Sequence, residues 1–229
     1  MCCRYARKST MELLAEWFRL ELSRVPWFLP SYNAAPQSVQ PVVHLRDGGG
    51  RCISLMRWGL VPQWARDPKI GLNTINARAE EAASKPSFRE SLKQRRCLVP
   101  VDAFYEWQRV SSKLRRPYAI AMQSGEPYAL AGLWDEWMTP QGEPLTSFTV
   151  LTTEANELMK PIHERMPVII AQADYTQWLD ASTDPRTLMR PFATEPMRAW
   201  QVSERVGNVR NNEPSLLEAD EPMQGHLFG

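Results

Sequence analysis

No apolar run in this sequence approaches the ~20 residues of a membrane-crossing helix. The first residues carry no apolar signal segment and pass straight into "RYARKST". Both absences lead to the expectation of a cytoplasmic protein, nucleoid-associated if bacterial. Cysteine is scarce: Cys2, Cys3, Cys52 and Cys97 are too few for a disulfide framework in a chain of this size. No C-x-x-C pair occurs, and the three histidines, His44, His163 and His226, are scattered. That argues against a zinc site, and no metal or cofactor is expected. An excess of one charge is missing too, with 27 basic residues against 26 acidic ones. A diffuse basic footprint is excluded, so any nucleic-acid site must be a local cleft with its own cations.

What is present is enough chain for one buried core, 229 residues, with nine tryptophans. Ser9 followed by Glu12 has the capping-box spacing, and Leu13, Leu14, Phe18 and Leu22 recur at helical intervals, predicting a helix over 10–23. "VPWFLPSYNAAP" reads as proline-punctuated loop. "VQPVVHLRDGGGRCISLMRWGL" reads as a hairpin turning at its glycines. Strands are expected in "CLVPVDAFYEWQRV", "RPYAIAMQ", "YALAGLWDEWM", "TSFTVLTT", "MPVII" and "AWQVS". Short helices are expected near 78–83, in "KPSFRESLKQRR", and over 155–159, 174–179 and 184–189. Many strands with short peripheral helices predict an α+β single domain over 1–217, built of mainly antiparallel curved sheets or an open barrel. Residues 218–229 read as a flexible acidic tail.

The chemistry begins at "MCCRY". Removal of Met1 would give Cys2 a free α-amine beside its thiol, and both groups are partly nucleophilic near neutral pH. Such a 1,2-aminothiol condenses with an aldehyde to an imine and then closes a thiazolidine ring. It also suits acyl transfer, with the thiolate attacking and the amine as base. A chance cysteine at an unordered terminus is the plain alternative.

Further segments look specialised: "SYNAAP", "TINARAE", "FYEW" and "PIHERMP". Cys-x-Arg-Tyr at the start is followed in order by Tyr-Asn-x-x-Pro, Trp-Gly-x-x-Pro-x-Trp, Asn-Ala-Arg-x-Glu, Phe-Tyr-Glu-Trp, His-x-Arg-Met-Pro and Val-x-x-x-Val-Gly-Asn-Val. The series, from Cys2 to about Asn211, resembles the SRAP family, the SOS-response-associated peptidase or abasic-site-processing proteins. Each motif alone is weak; their joint order is specific.

The resemblance implies a sensor of abasic sites in single-stranded DNA. It would form a thiazolidine crosslink between Cys2 and C1′ of the ring-opened sugar, with Met1 removed by self-processing or by an aminopeptidase and at most minor lyase activity. It assigns Cys2 as nucleophile, Asn76 as hydrogen-bond partner of the sugar, Glu106 as proton exchanger near Cys2 and His163 as the group assisting ring opening. It makes Arg4, Arg78 and Arg165 phosphate contacts, with Lys85 in addition, and Pro36 and Trp64 a wedge and stacking surface. Asn33 and Trp107 would line the same cleft, and Trp58 is assigned to the core. Read singly, Asn76 is a turn cap, Glu106 a salt-bridge partner, His163 a structural histidine and the arginines surface ion pairs. Cys3 stands where the family usually has glycine. Gln224, Leu227 and Phe228 resemble a peptide that docks on bacterial sliding clamps. The competing functions are an N-terminal cysteine amidohydrolase or peptidase and a non-covalent single-strand binding module.

Overall fold

The computed structural model describes residues 3–46 and 48–220. Cys2 and the tail residues Gln224, Leu227 and Phe228 lie outside them. The described residues form four short α-helices and thirteen strands, the strands lying in two sheets. The chain enters through β1 (Arg4–Arg7) and α1 (Met11–Phe18), then forms β2 (Ser31–Ala34), β3 (Val39–Leu45) and β4 (Arg51–Trp58). β5 (Asn76–Arg78), α2 (Ala79–Ala82) and α3 (Arg89–Gln94) lead to β6 (Arg96–Val101), β7 (Ala103–Arg109), β8 (Arg115–Met122), β9 (Tyr128–Met138) and β10 (Pro144–Glu154). β11 (Arg165–Pro167), β12 (Ile169–Ile170), α4 (Tyr175–Leu179) and β13 (Met197–Gln201) follow.

One sheet has the order β13-β8-β7-β1-β2. In the other, β10, β4, β3, β6 and β9 follow one another and β9 pairs back onto β10, closing a five-stranded barrel. β10 closes it by changing partners along its length. Ser147 and Phe148 pair with β4, Val150–Thr152 with β5, and 152–154 with β11. Its pairings with β4 and β5 are parallel, and the other ladders of both sheets are antiparallel.

The glycine-rich turn joins β3 to β4 as expected, with Gly48, Gly49 and Gly50 all at positive φ. The first helix is shorter than the pattern suggested. Arg19 adopts φ 56° and ψ 55°, and Leu20 N–H donates to Ala15 O, so the helix closes there and 22–24 is a 3₁₀ turn. Residues 155–159 are turns and not a helix. The Asn156 side chain accepts from Met159 N–H (3.0 Å), and Pro161 cannot donate to prolong a helix. The expected helix over 184–189 is a 3₁₀ turn, Pro185–Leu188. β1, β2 and β5, of three or four residues each, were not legible as strands. At the C-terminal side, Ala219 bridges Val202 and Asp220 N–H donates to Gln201 O (3.0 Å). Among the described residues no helix is long and apolar enough to cross a membrane.

Trp58 is fully buried, its ring 5.2 Å from Tyr5 and 6.1 Å from Phe148. These residues belong to one core that also takes in Phe104 and Val150, with Ile75 and Ile162 packed against it. The flanks of Asn76 and His163 therefore rest on the same apolar mass as β1 and β7.

Candidate functional site

β1 runs between β2 and β7, with Arg4 opposite Tyr105 and Tyr5 opposite Phe104. Continued by one residue, this register puts Cys3 opposite Glu106. Burial and the Glu106 carboxylate push the Cys3 thiol up, while Arg4 pulls it down. The Glu106 residue is 3% exposed and its Oε1 accepts from Trp107 N–H at 3.2 Å. A strand paired on both sides cannot fray as an edge can, so Cys3 is held beside a buried carboxylate.

Asn76 opens β5, opposite Val150 of β10. Its position is set from the core, because the Trp58 indole Nε1–H donates to Ile75 O at 2.8 Å. His163 ends the turns that follow β10. Ala155 N–H donates to Glu164 O across this loop (3.0 Å), and the Gln108 side chain of β7 donates to Pro161 O (2.9 Å). The His163 segment is thereby tied to the strand that carries Glu106. His163 Nδ1 accepts from Arg165 N–H at 3.0 Å. The same Nδ1 lies 3.2 Å from Arg165 O, so the Arg165 backbone offers a partner to either tautomer of the ring.

The expected DNA contacts fall into two groups. Arg4 donates to Asn33 Oδ1 (3.0 Å), Val206 O (2.9 Å) and Gly207 O (3.3 Å). Asn33, 5% exposed, donates to the carbonyls of Val206, Asn208 and Asn211. Together they clamp the Val-Gly-Asn-Val loop against β1 and β2. In the second group, Arg165 grips Glu80 with both terminal nitrogens (2.5 and 2.9 Å) and donates to Thr152 O (2.7 Å). Arg78 and Lys85 both reach Glu81, at 3.3 and 2.5 Å. Trp107 packs half-buried on the cluster around Tyr105.

Trp64 is 57% exposed, its Nε1–H donating to Pro86 O at 3.3 Å. Pro36 occupies a tight turn closed by Ser38 N–H to Ala35 O, with Gln37 at φ 72°. That conformation is that of a type II turn, which favours proline before the positive-φ residue. Among the described residues, no group of three or more His, Cys, Asp or Glu could hold a metal ion.

The glutamates Glu80 and Glu81, the Gln108 tie and the loop clamp by Arg4 and Asn33 were not foreseen. Two acidic residues directly after "NARA" were the available signal for the first.

The SOS response associated peptidase (SRAP) family model matches residues 1–209. The abasic site processing protein YoqW of Bacillus subtilis is 41% identical, covering 96% of this chain and 100% of its own. The abasic site processing protein HMCES of Rattus norvegicus is 34% identical over 94% of this chain and 70% of its own. A crystal structure of a protein from Bacteroides thetaiotaomicron superposes with TM-score 0.83 at 25% identity, covering 96% of this chain and 100% of that one. The chain belongs to the SOS response associated peptidase family.

Proposed function

We propose that this protein captures abasic sites in single-stranded DNA by a covalent bond from Cys2, once Met1 has been removed. The observation that carries the reading is the pairing of β1 with β7, whose register sets Cys3, the neighbour of Cys2, opposite the buried Glu106. The names of the relatives, abasic site processing proteins, support it.

In the proposed sequence His163 gives a ring proton to the ring oxygen as the C1′–O bond breaks and takes one from the C1′ hydroxyl, which becomes the aldehyde, while Asn76 orients the sugar by its amide. The Cys2 amine adds to the C1′ aldehyde, and loss of water leaves an imine. The Cys2 thiol then adds to the imine carbon, its proton passing to the nitrogen, and the thiazolidine closes. Glu106 carries protons between amine, carbinol and solvent. Closure consumes the imine that β-elimination would need, so strand scission stays minor.

The test is a denaturing gel of Met1-processed protein with an abasic single strand. A shifted band is expected, absent for Cys2→Ala and formed about a hundredfold more slowly by Glu106→Gln. No band, with turnover of amide substrates, would make the protein a hydrolase. Salt-sensitive binding without a band would make it a non-covalent module. A further proposed partner is a sliding clamp, bound by Gln224, Leu227 and Phe228. Unchanged binding of the tail peptide to the clamp after Leu227→Ala and Phe228→Ala would remove that partner.

A further inference from the structure

Three of the cations assigned to the DNA track are already held by two adjacent carboxylates. Arg165 has five N–H donors. Two on Nη2 go to Glu80 and Thr152 O, one on Nη1 goes to Glu80, and Nε is buried without a partner. One donor remains. The Arg165 side chain is only 14% exposed, whereas Glu80, which covers it, is 51% exposed. Glu81 pairs with Arg78 and Lys85 from the next position, and there both cations are themselves more than half exposed. Both carboxyls lie below their usual range, Glu80 through its hydrogen bonds from Arg165 and Glu81 through that from Lys85, so both are charged at neutral pH.

A phosphodiester presents the same pair of oxygens to a guanidinium fork as a carboxylate does. A strand that is to use the Arg165 fork must therefore displace Glu80. The space exists: a cleft of ≈ 430 Å³ opens beside the pair, walled by Glu80, Thr153, Glu154, Arg165, Arg186 and Met189 among others. The pairs of Glu81 with the exposed Arg78 and Lys85 sit close to energetic balance, so exchange there is easily tipped.

We propose that Glu80 and Glu81 are specificity-determining counter-charges that compete with phosphodiester oxygens for Arg165, Arg78 and Lys85. The inference rests on the reading that these cations meet the strand. Its consequence is discrimination. An intact strand drifting over the surface finds the cations neutralised and leaves. A strand already anchored at its lesion stays long enough to exchange carboxylate for phosphate. This places selectivity outside the reacting atoms, in residues that touch neither sugar nor Cys2.

The experiment uses the full chain and undamaged oligothymidylate, titrated at several salt concentrations by fluorescence anisotropy, for wild type, Glu80→Gln and Glu81→Gln. Each phosphate contact recovered should add about 0.7 to the slope of log affinity against log salt, which is about fivefold tighter binding at 0.1 M salt. Both variants should bind the intact strand tighter and lose preference for a strand carrying the lesion. Unchanged or weaker binding with an unchanged slope would overturn the inference. If Glu80→Gln melts early, Glu81→Gln decides, because its partners are solvent-exposed. The wild-type crosslink on abasic DNA is run alongside. Wild type that captures the lesion while the variants match it sinks only the counter-charges. Wild type that binds no strand sinks this inference and the functional reading together.

Discussion

At the scale of single residues, the structure distinguishes glycines that matter from those that do not. Gly59 sits at φ +127°, where a Cβ would lie 2.3 Å from Gly71 O and 2.5 Å from the Gln37 amide. Gly125, at φ +76°, has nothing within 4 Å. Gly59→Ala should cost about 2–5 kcal/mol, adding overpacking to strain, and Gly125→Ala only about 1 kcal/mol, as read from urea midpoints. Equal losses would deny the close approach between the two loops. Buried acids give a second prediction. Burial pushes the fully enclosed Cys97 thiol well up, and pushes Tyr175 to about 12 against a bond from Trp17 and the charge of Arg51. Tyr105 is raised by burial as well. The folded chain keeps these protons longer than the unfolded chain. Their contribution to stability is therefore complete below the unfolded values, about 8.5 for thiol and 10 for phenol, and is lost as pH rises. Urea midpoints should hold to about pH 8, decline from about 8.5 and steepen above 10, with Cys97→Ala flattening the first decline. A level profile from pH 8 to 11 would contradict this burial.

At the scale of elements, Arg96 shows how a buried cation can act as mortar. It is 3% exposed and donates to Leu92 O (3.1 Å), Trp178 O (2.6 Å), Asp180 O and Thr183 O (3.2 Å). One side chain so joins α3, β6 and α4 with the turn after it. Arg96→Met should cost at least about 3 kcal/mol, because it leaves several enclosed carbonyls without donors. It should also speed exchange of the Trp178 indole proton, which is otherwise held by Cys97 O at 2.8 Å. A stable variant with unchanged exchange would refute that role. The long strands β6 to β10 were legible because each has an apolar run between breakers. β1 and β2 were not, since strands of four residues among prolines and charges have no period to read. Their pairing is decided by partners distant in sequence, such as Tyr105 for Arg4. The same reason hid much of the site. The motifs named Glu106, Asn76 and His163, but the grip of Glu80 on Arg165 spans 85 positions and leaves no local pattern. Asn33 was taken for a cleft residue, and its fastening of three carbonyls in the 206–211 loop belongs to tertiary structure alone.

At the scale of the whole molecule, near-equal charge and two sheets sharing one core leave attraction for DNA to local clusters. The five-stranded sheet depends on β1, its fourth strand in order, which separates β7 from β2. Deleting residues 1–7 should leave both neighbours with unpaired edges and drive the chain to aggregate, measured as the soluble fraction on expression. A soluble deletion with the wild-type melting temperature would show that β1 is dispensable to the frame. The same pairing sets a timetable. On the ribosome, β1 emerges early, and its partner Tyr105 follows roughly a hundred residues later, an interval of about 5–20 s at ordinary elongation rates. Throughout it β1 lacks the strand that pairs with it. Arrival of β7 ends the interval by pairing Arg4–Ala6 with Ala103–Tyr105, so the frame of the five-stranded sheet is completed only when nearly half of the chain has been made.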